Sequence, residues 1–115
     1  MRRDSFVLSI DIGTSSTRAG LFDDAGMPHG TTAHHPTSMR TDVDGKAVLD
    51  SAGLLAGVVG CVDEVLAAHA GAEILGVGVS CFWHGLLGVD AGGRATTDVL
   101  TWADRRAGHV ADTQR

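Results

Sequence analysis

The chain has 115 residues, of which 43% are hydrophobic and 20% are charged, and its formal net charge is −5. This length suits one domain, and the composition is that of a globular protein rather than a disordered or fibrous one. The nine lysines and arginines are spread thinly along the sequence, which argues against nucleic acid and anionic membrane surfaces as partners.

Short apolar runs and the two cysteines bear on cellular location. The first run covers only residues 6–10 and is too short for a signal peptide. The longest uncharged, mainly apolar stretch, residues 52–62, falls short of the roughly 18 residues that span a bilayer. Cys61 and Cys81 lack metal-ligand spacing and are expected as reduced thiols. The sequence therefore predicts a cytoplasmic protein with no membrane partner.

The first 36 residues predict an antiparallel meander of three strands. Residues 6–10 are rich in strand formers, and residues 16–22 resume that character after a glycine turn. Residues 27–35 follow a second turn and stop at Pro36, a position where proline costs a sheet little.

A helix and a crossover are expected next. Residues 37–49 predict an exposed polar loop, after which Asp50 or Ser51 offers a helix N-cap. Apolar residues then recur at spacings of three and four, and Gly71 is placed to end the helix. The apolar run 74–79 predicts a buried strand parallel to a neighbour, so the sheet is expected to be mixed.

The C-terminal third is less regular. Residues 85–90 are a further apolar run that ends in a glycine turn, and residues 96–101 are expected to extend briefly. Residues 102–115 predict a second helix.

Each glycine inside the first helix costs roughly 1 kcal/mol against alanine, so packing against the sheet must stabilise that helix.

The turn between the first two predicted strands concentrates polar groups. Its residues are Asp11, Gly13, Thr14, Ser15 and Ser16. A phosphate with hydrated magnesium needs amides and hydroxyls for its oxygens and a carboxylate for the water shell of the metal. Arg18 adds a charge on the same side as Ser16. An ordinary polar hairpin needs only one or two such residues, so local chemistry leaves both interpretations open.

Two sequence blocks resemble the FGGY family of carbohydrate kinases, which share the actin-like, ribonuclease-H-like ATPase fold. The segment SIDIGTSSTRAGLFDDAG resembles the family's DxGTxxxR opening. The segments GVGVSCFWHGLLGVDAGGR and DVLTWADRR resemble a second block, in which a strand, a substrate loop and a WxDxR segment follow in order. The resemblance covers residues 6–106 and implies an α/β fold with a mixed sheet. Gluconokinase-type members look most similar, followed by xylulokinase-like ones.

The resemblance also implies roles for individual residues. The group implied to hold ATP phosphate and Mg²⁺ is Asp11, Gly13, Thr14, Ser15, Ser16 and Arg18, with Asp11 reaching the metal through water. The group implied at the sugar is Trp83 and His84, with Trp102, Asp104 and Arg106 at the edge of the pocket. Core packing is the alternative for both tryptophans. The remaining histidines are expected on the surface without partners: His29, His34, His35, His69 and His109.

Family members are several times longer, and their catalytic base, adenine pocket and second domain lie downstream of the matching segment. Residues 1–115 are therefore expected to form an incomplete N-terminal part of the first kinase domain, inactive by itself. The parent enzyme would transfer the γ-phosphoryl of ATP to a sugar, a sugar acid such as gluconate, or a polyol. The alternatives are a non-catalytic sugar- or protein-binding fragment and another kind of actin-like ATPase. Apolar surface left uncovered also predicts self-association.

Overall fold

A computed structural model gives the structure of residues 5–114; residues 1–4 and Arg115 lie outside the described chain. The strands are β1 (Ser5–Ile12), β2 (Ser16–Phe22), β3 (Pro28–Pro36), β4 (Arg40–Thr41), β5 (Ala47–Leu49), β6 (Glu73–Cys81) and β7 (Val99–Leu100). The helices are α1 (Ser51–Ala68) and α2 (Gly108–Thr113). Strands β3, β2, β1 and β6, in that order, form the main sheet, and β4, β5 and β7 form the small sheet.

The main sheet has the predicted mixed topology. Strands β1, β2 and β3 are antiparallel neighbours, and β6 pairs parallel with β1 on the other side. Helix α1 makes the connection back to β6, as a crossover between parallel strands requires. The meander, the crossover helix and the parallel strand are therefore confirmed, with β1 longer at both ends than predicted. The predicted burial of the parallel strand is wrong in the described chain, because no residue of β6 is buried and α1 packs mainly over β2 and β3.

Helix α1 packs across one face of the main sheet. Asp50 caps its N-terminus by accepting a hydrogen bond from the amide of Gly53 at 2.7 Å. Its buried residues Cys61 and Val65 join the apolar residues of β1, β2 and β3 in one core. Gly60 lets the helix approach β3, because a Cβ there would meet the imidazole of His35 at 2.6 Å. The helix ends at Ala68, slightly before the predicted stop.

Helix α1 is longer than the uncharged stretch 52–62 that lies inside it. The helix continues through Asp63 and Glu64, and its 18 residues are long and apolar enough to cross a membrane by length and composition. The uncharged stretch keeps its predicted bounds, because Asp63 follows Val62. Core helices of soluble domains meet the same criterion, and one face of α1 lies on the main sheet.

The predicted loop at residues 37–49 was wrong, because it contains β4 and β5. Ala47, Val48 and Leu49 are all buried, although the residues before them are mostly polar. Strand β5 pairs antiparallel with β4 on one side and β7 on the other. Three apolar residues are too few to give a periodic signal, so only this pairing reveals the strand.

The predicted helix over residues 102–115 is also largely wrong. Turns occupy residues 102–107, and α2 covers only Gly108–Thr113. The amide of Asp104 bonds the carbonyl of Thr101 at 3.0 Å, while its carboxylate accepts from the amide of Arg106 at 3.2 Å. Such a side-chain bond to a nearby amide competes with helix formation.

Three of the histidines predicted to lack partners have them. His69 Nδ1 lies 2.8 Å from the carbonyl of Val65, and its Nε2 lies 3.2 Å from the amide of Thr31. His29 stacks on the ring of Phe6 at a centroid distance of 4.4 Å. His35 lies 3.3 Å from the carboxylate of Glu64. These contacts attach α1 and β1 to β3, so the histidines help to hold the main sheet together.

Candidate active site

The turn that links β1 to β2 is tight and fixed at two points. The amide of Gly13 donates to the carbonyl of Ser16 at 2.9 Å, and the amide of Thr37 donates to the carbonyl of Ser15 at 2.8 Å. A Cβ at position 13 would lie 3.0 Å from the Ser16 carbonyl oxygen, so a larger residue there would push the two sides of the turn slightly apart. The Gly13 amide is consequently closed to a ligand.

The middle of the turn remains available for binding. Across residues 5–114, the amides and hydroxyls of Thr14 and Ser15 make no hydrogen bond within the chain. Asp11 lies opposite Arg18 in the register of β1 and β2, and their charged groups are 3.9 Å apart. Both side chains are exposed. This donor set suits a phosphate, with a carboxylate beside it for the water shell of a cation.

A shallow cavity adjoins the turn on the face of the main sheet opposite α1. Its volume is about 180 Å³. Asp11 and Arg18 line it together with Ser9, Gly20 and Thr32. These side chains share a face because strand residues alternate between the two sides of a sheet. The predicted charged groups of the phosphate site therefore border one concave surface.

The loop after β6 comes close to this turn through the strand pairing. Asp11 lies beside Ser80 in the parallel register, and the amide of Phe82 donates to the carbonyl of Ile12 at 2.9 Å. Trp83 and His84 follow directly, so they leave the sheet at the same edge as the phosphate turn. The carboxyl ends of parallel strands are the usual place for ligand sites in α/β sheets.

The backbone of His84 is unusual. Its φ is 56°, and it has the only positive φ among the non-glycine residues described in 5–114. Such a conformation costs about 1–3 kcal/mol and recurs at functional sites. His84 lines a cavity of about 350 Å³ together with Cys81, Phe82 and Val99. The loop therefore holds this imidazole at a cavity wall at some energetic cost.

The two tryptophans lie on the surface. Trp83 is 78% exposed and Trp102 is 63% exposed. Core packing, the alternative considered from the sequence, is therefore wrong for both in this chain. The ring of Trp83 meets His84 edge-on at a centroid distance of 6.3 Å. Exposed indole faces of this kind are suited to covering the carbon-bound hydrogens of a sugar.

The carboxylate of Asp104 is hydrogen-bonded to other residues of the chain. Its carboxylate accepts from the amide of Ala47 at 3.0 Å and from two nitrogens of the Arg106 guanidinium at 2.8–3.1 Å. Its side chain is only 6% exposed. The Arg106 guanidinium and the Ala47 amide hold the pKa of Asp104 well below its ordinary value. In turn, Asp104 raises the pKa of Arg106.

The residues predicted at the sugar divide between two cavities. Asp104 and Arg106 line one of about 580 Å³, beside Val48 and Leu100. His84 lines the other, beside Val99. Val99 and Leu100 are successive residues of β7 and point to opposite faces of the small sheet. The described chain therefore groups His84 with Trp83, and Asp104 with Arg106, but it does not join the two pairs.

Several polar residues near Asp104 were not singled out from the sequence. Lys46, Asp98 and His109 line the same cavity, and Arg40 binds Asp98 at 2.6 Å. The small sheet brings these residues together from positions up to 69 apart in sequence. Asp98 opens the DVLTWADRR segment, but its contact with Arg40 joins residues 58 apart, and such a distance leaves no local signal in the sequence.

The topology and the turn define the class of protein. A mixed sheet in the order β3-β2-β1-β6, with a polar turn between β1 and β2, is the arrangement of FGGY kinase N-terminal domains of the actin-like ATPase fold. A model of the FGGY family of carbohydrate kinases, N-terminal domain, matches residues 6–115. The chain belongs to this family.

Similar proteins include kinases of several small molecules. Glycerol kinase of Acinetobacter baylyi is 30% identical over 112 residues, which cover 95% of this chain and 22% of that protein. A xyloylose kinase from Brucella ovis, known from its crystal structure, is 29% identical in sequence. Its structure matches with a TM-score of 0.87, and the match covers 95% of this chain and 23% of that one. A gluconate kinase from Lactobacillus acidophilus shares the fold, with a TM-score of 0.86. It is 21% identical, and the match covers 95% of this chain and 22% of that one. The chain spans less than a quarter of these relatives.

Proposed function

We propose that residues 1–115 are the N-terminal part of the first domain of an ATP-dependent carbohydrate kinase, which transfers the γ-phosphoryl of ATP to a sugar, sugar acid or polyol hydroxyl. The observation that carries the proposal is the turn between β1 and β2, where the amides and hydroxyls of Thr14 and Ser15 make no hydrogen bond within residues 5–114 and the exposed carboxylate of Asp11 lies nearby in sequence. Membership of the FGGY family supports it. We propose the cytoplasm as its location.

In this proposal the turn receives the phosphates of ATP. The amides and hydroxyls of Thr14 and Ser15 would hold phosphate oxygens, with Ser16 and Gly13 shaping the turn. Asp11 would bind the water shell of Mg²⁺, and Arg18 would add positive charge beside it. Phosphoryl transfer depends mainly on positioning and charge neutralisation, and these groups supply both. The metal would neutralise phosphate charge when bound.

For the acceptor we propose a sugar acid, with gluconate favoured, because the segment 80–90 resembles gluconokinase-type members. Trp83 would cover the carbon-bound hydrogens of the sugar, and His84 would bond a hydroxyl. Trp102 would lie at the pocket edge. Because the Asp104 carboxylate already accepts from Arg106 and from the amide of Ala47, Asp104 and Arg106 would act by holding this edge in place.

Amide chemical shifts test the phosphate site directly on the 115-residue chain. Adding Mg·ATP should shift the amide signals of Thr14 and Ser15, and Asp11→Asn should weaken the binding that these shifts report. Asp112→Asn is the matched control, because it removes the same charge from an exposed position on α2. If millimolar Mg·ATP leaves the turn signals unmoved, the phosphate assignment is wrong.

A second titration tests the acceptor. Gluconate, xylulose, ribulose and glycerol are added separately, and gluconate should give the largest shifts at Trp83 and His84. His84→Ala should abolish the shift at Trp83, whereas His34→Ala, at an exposed position on β3 that lines neither cavity, should not. If none of the four compounds shifts these signals, the sugar assignments should be dropped.

The chain alone should turn over none of these substrates, because the resemblance places the catalytic base downstream. A coupled assay for ADP release checks this expectation, and measurable ATP-dependent sugar phosphorylation would contradict it. Sugar binding without turnover is consistent with the proposal, and also with a non-catalytic binding fragment. Binding of Mg·ATP at Thr14 and Ser15 separates the two, because a fragment that only binds sugar needs no phosphate site.

A further inference from the structure

Trp102 lies at the corner of a turn that is closed by two hydrogen bonds. The amide of Asp104 donates to the carbonyl of Thr101 at 3.0 Å, which is the bond that closes a four-residue turn. The amide of Ala103 donates to the Thr101 hydroxyl at 3.3 Å. A threonine hydroxyl that accepts from the amide two residues later forms a second, smaller turn over the same residues. The backbone of Trp102 is therefore held from both sides.

The same hydroxyl fastens this turn to β5. Thr101 is only 4% exposed, and its hydroxyl donates to the carbonyl of Ala47 at 2.9 Å. A hydroxyl has one proton to donate and lone pairs that accept, so it can bond Ala47 and Ala103 at the same time. The sulfur of Met39, at 3.9 Å, is a more distant and weaker acceptor. The Thr101 hydroxyl thus both closes the turn around Trp102 and joins it to the strand.

The residues after Trp102 are bound to the same part of the small sheet. The Asp104 carboxylate accepts from the amide of Ala47 at 3.0 Å, and the amide of Arg105 donates to the carbonyl of Gly45 at 2.8 Å. Both polar backbone groups of Ala47 are therefore bonded by residues that flank Trp102. The tryptophan belongs to a short segment that is attached on either side of it.

We propose that Thr101 is a positioning residue, whose hydroxyl fixes the backbone of Trp102 so that the indole meets the sugar in one orientation. The inference rests on the proposed function, in which Trp102 lies at the edge of the sugar pocket. Because Thr101 is buried, it acts through Trp102 and does not touch the substrate itself. A fixed backbone leaves only the two side-chain torsions of the tryptophan to be ordered on binding, which lowers the entropic cost.

Nitrogen-15 relaxation of the free 115-residue chain tests the positioning without any ligand. Thr101→Val replaces the hydroxyl by a methyl group of similar size and removes both of its hydrogen bonds. The order parameter of the Trp102 amide should fall from about 0.85 to below about 0.6, and the indole Nε1 should become more mobile as well. Thr101→Ser keeps the hydroxyl and is the matched control, so it should stay close to the wild type. The indole of Trp83, on a different loop, should be unchanged in both variants.

Binding measurements then test what the positioning does. Thr101→Val should raise the gluconate Kd, read from the shifts at His84, about two- to tenfold. Thr101→Ser should bind like the wild type. Mg·ATP binding at Thr14 and Ser15 should be equal in all three chains, because that turn lies between β1 and β2 of the main sheet. A general loss of folding would weaken both sites, whereas lost positioning weakens only the sugar site.

Hydrogen exchange provides a measurement that needs no valine variant, should this variant fail to fold by circular dichroism. The amide of Ala103 has the Thr101 hydroxyl as its acceptor. Its exchange should therefore be slow both in the wild type and in Thr101→Ser. Exchange at the rate of an unbonded amide would show that the hydroxyl does not close the turn.

The proposal is overturned by unchanged order of Trp102 in a folded Thr101→Val, or by an unprotected Ala103 amide. Equal gluconate affinity of the folded valine variant and a wild type that binds would overturn it too. These results leave the proposed function intact, because they concern only how Trp102 is held. If the wild type binds none of gluconate, xylulose, ribulose and glycerol, the acceptor assignment itself has failed, and the role of Thr101 in sugar binding falls with it.

Discussion

The main sheet and the small sheet are stabilised by different interactions. The main sheet has an apolar core, in which residues of β1, β2 and β3 pack against Cys61 and Val65 of α1. In the described chain, no helix packs across the small sheet as α1 does across the main sheet. Its strands are tied to residues 101–104 instead, because the Asp104 carboxylate accepts from the amide of Ala47 and the Thr101 hydroxyl donates to the carbonyl of Ala47.

This difference affects how the candidate site should be tested. The turn proposed to bind phosphate joins β1 and β2 of the main sheet. A substitution at Asp11 is therefore made in a part of the fold that the apolar core supports. The segment that carries Trp102, which is proposed to form the edge of a sugar pocket, follows β7 of the small sheet, and there Asp104 accepts from the backbone of β5. A change at Asp104 would therefore alter the shape of the pocket edge as well as any contact with substrate, and activity alone could not separate the two.

The largest effect is expected in the core of the main sheet. Leu21 is 1% exposed, and Leu21→Ala should lower the free energy of unfolding by about 2–5 kcal/mol through lost burial and a cavity. Urea titration followed by circular dichroism measures this. Leu55→Ala, on the exposed face of α1, should change it by only about 0.5 kcal/mol. Equal losses for the two variants would contradict the assignment of the core.

A smaller effect is expected where β3 meets the end of α1. Gly30 has a φ of 65°, and a Cβ there would overlap Nε2 of His69. Gly30→Ala should therefore cost about 1–3 kcal/mol of unfolding free energy. In a His69→Ala background the overlap is gone, so the cost of Gly30→Ala should fall. A double-mutant cycle by urea titration measures this coupling, and strict additivity would show that the two residues do not meet.

The smallest effect is expected for Asp104→Asn, because one side-chain oxygen can still accept from Ala47 or Arg106, although the charge and the second acceptor oxygen are lost. Arg106 and the Ala47 amide lower the pKa of Asp104 in the folded chain. The ionised carboxyl therefore stabilises the fold above its unfolded pKa of about 3.9, and this contribution is lost as pH falls below that value.

Melting temperatures measured between about pH 2 and pH 7 test this sign. The gap between wild type and Asp104→Asn should be constant above about pH 5 and should shrink below about pH 4. Asp112→Asn, at an exposed position, should follow the wild type throughout. A gap that does not change with pH would show that the charge of Asp104 contributes nothing to stability.

Much of the main sheet could be predicted from the sequence because its signals are local. The meander is set by apolar runs and glycine turns, and α1 by its periodic face and its cap at Asp50. The turn residues could be proposed as a phosphate site for the same reason, since five of them are adjacent or nearly so. The two sequence blocks together were enough to predict the FGGY family, which the family match confirms.

The small sheet and the division of the sugar residues depended on tertiary structure. Strand β5 is defined by pairing with β7, about 50 residues later, and the turns at residues 102–107 by a carboxylate that reaches back to Ala47. The contacts of His69 with Thr31 join elements 38 residues apart. Local patterns carry the periodicity of a strand or helix, but a polar contact between distant segments leaves no periodic trace. The sequence thus determined the elements of the main sheet and the polar turn proposed to bind phosphate, while the strands of the small sheet and the partners of the polar side chains were decided only when the chain folded.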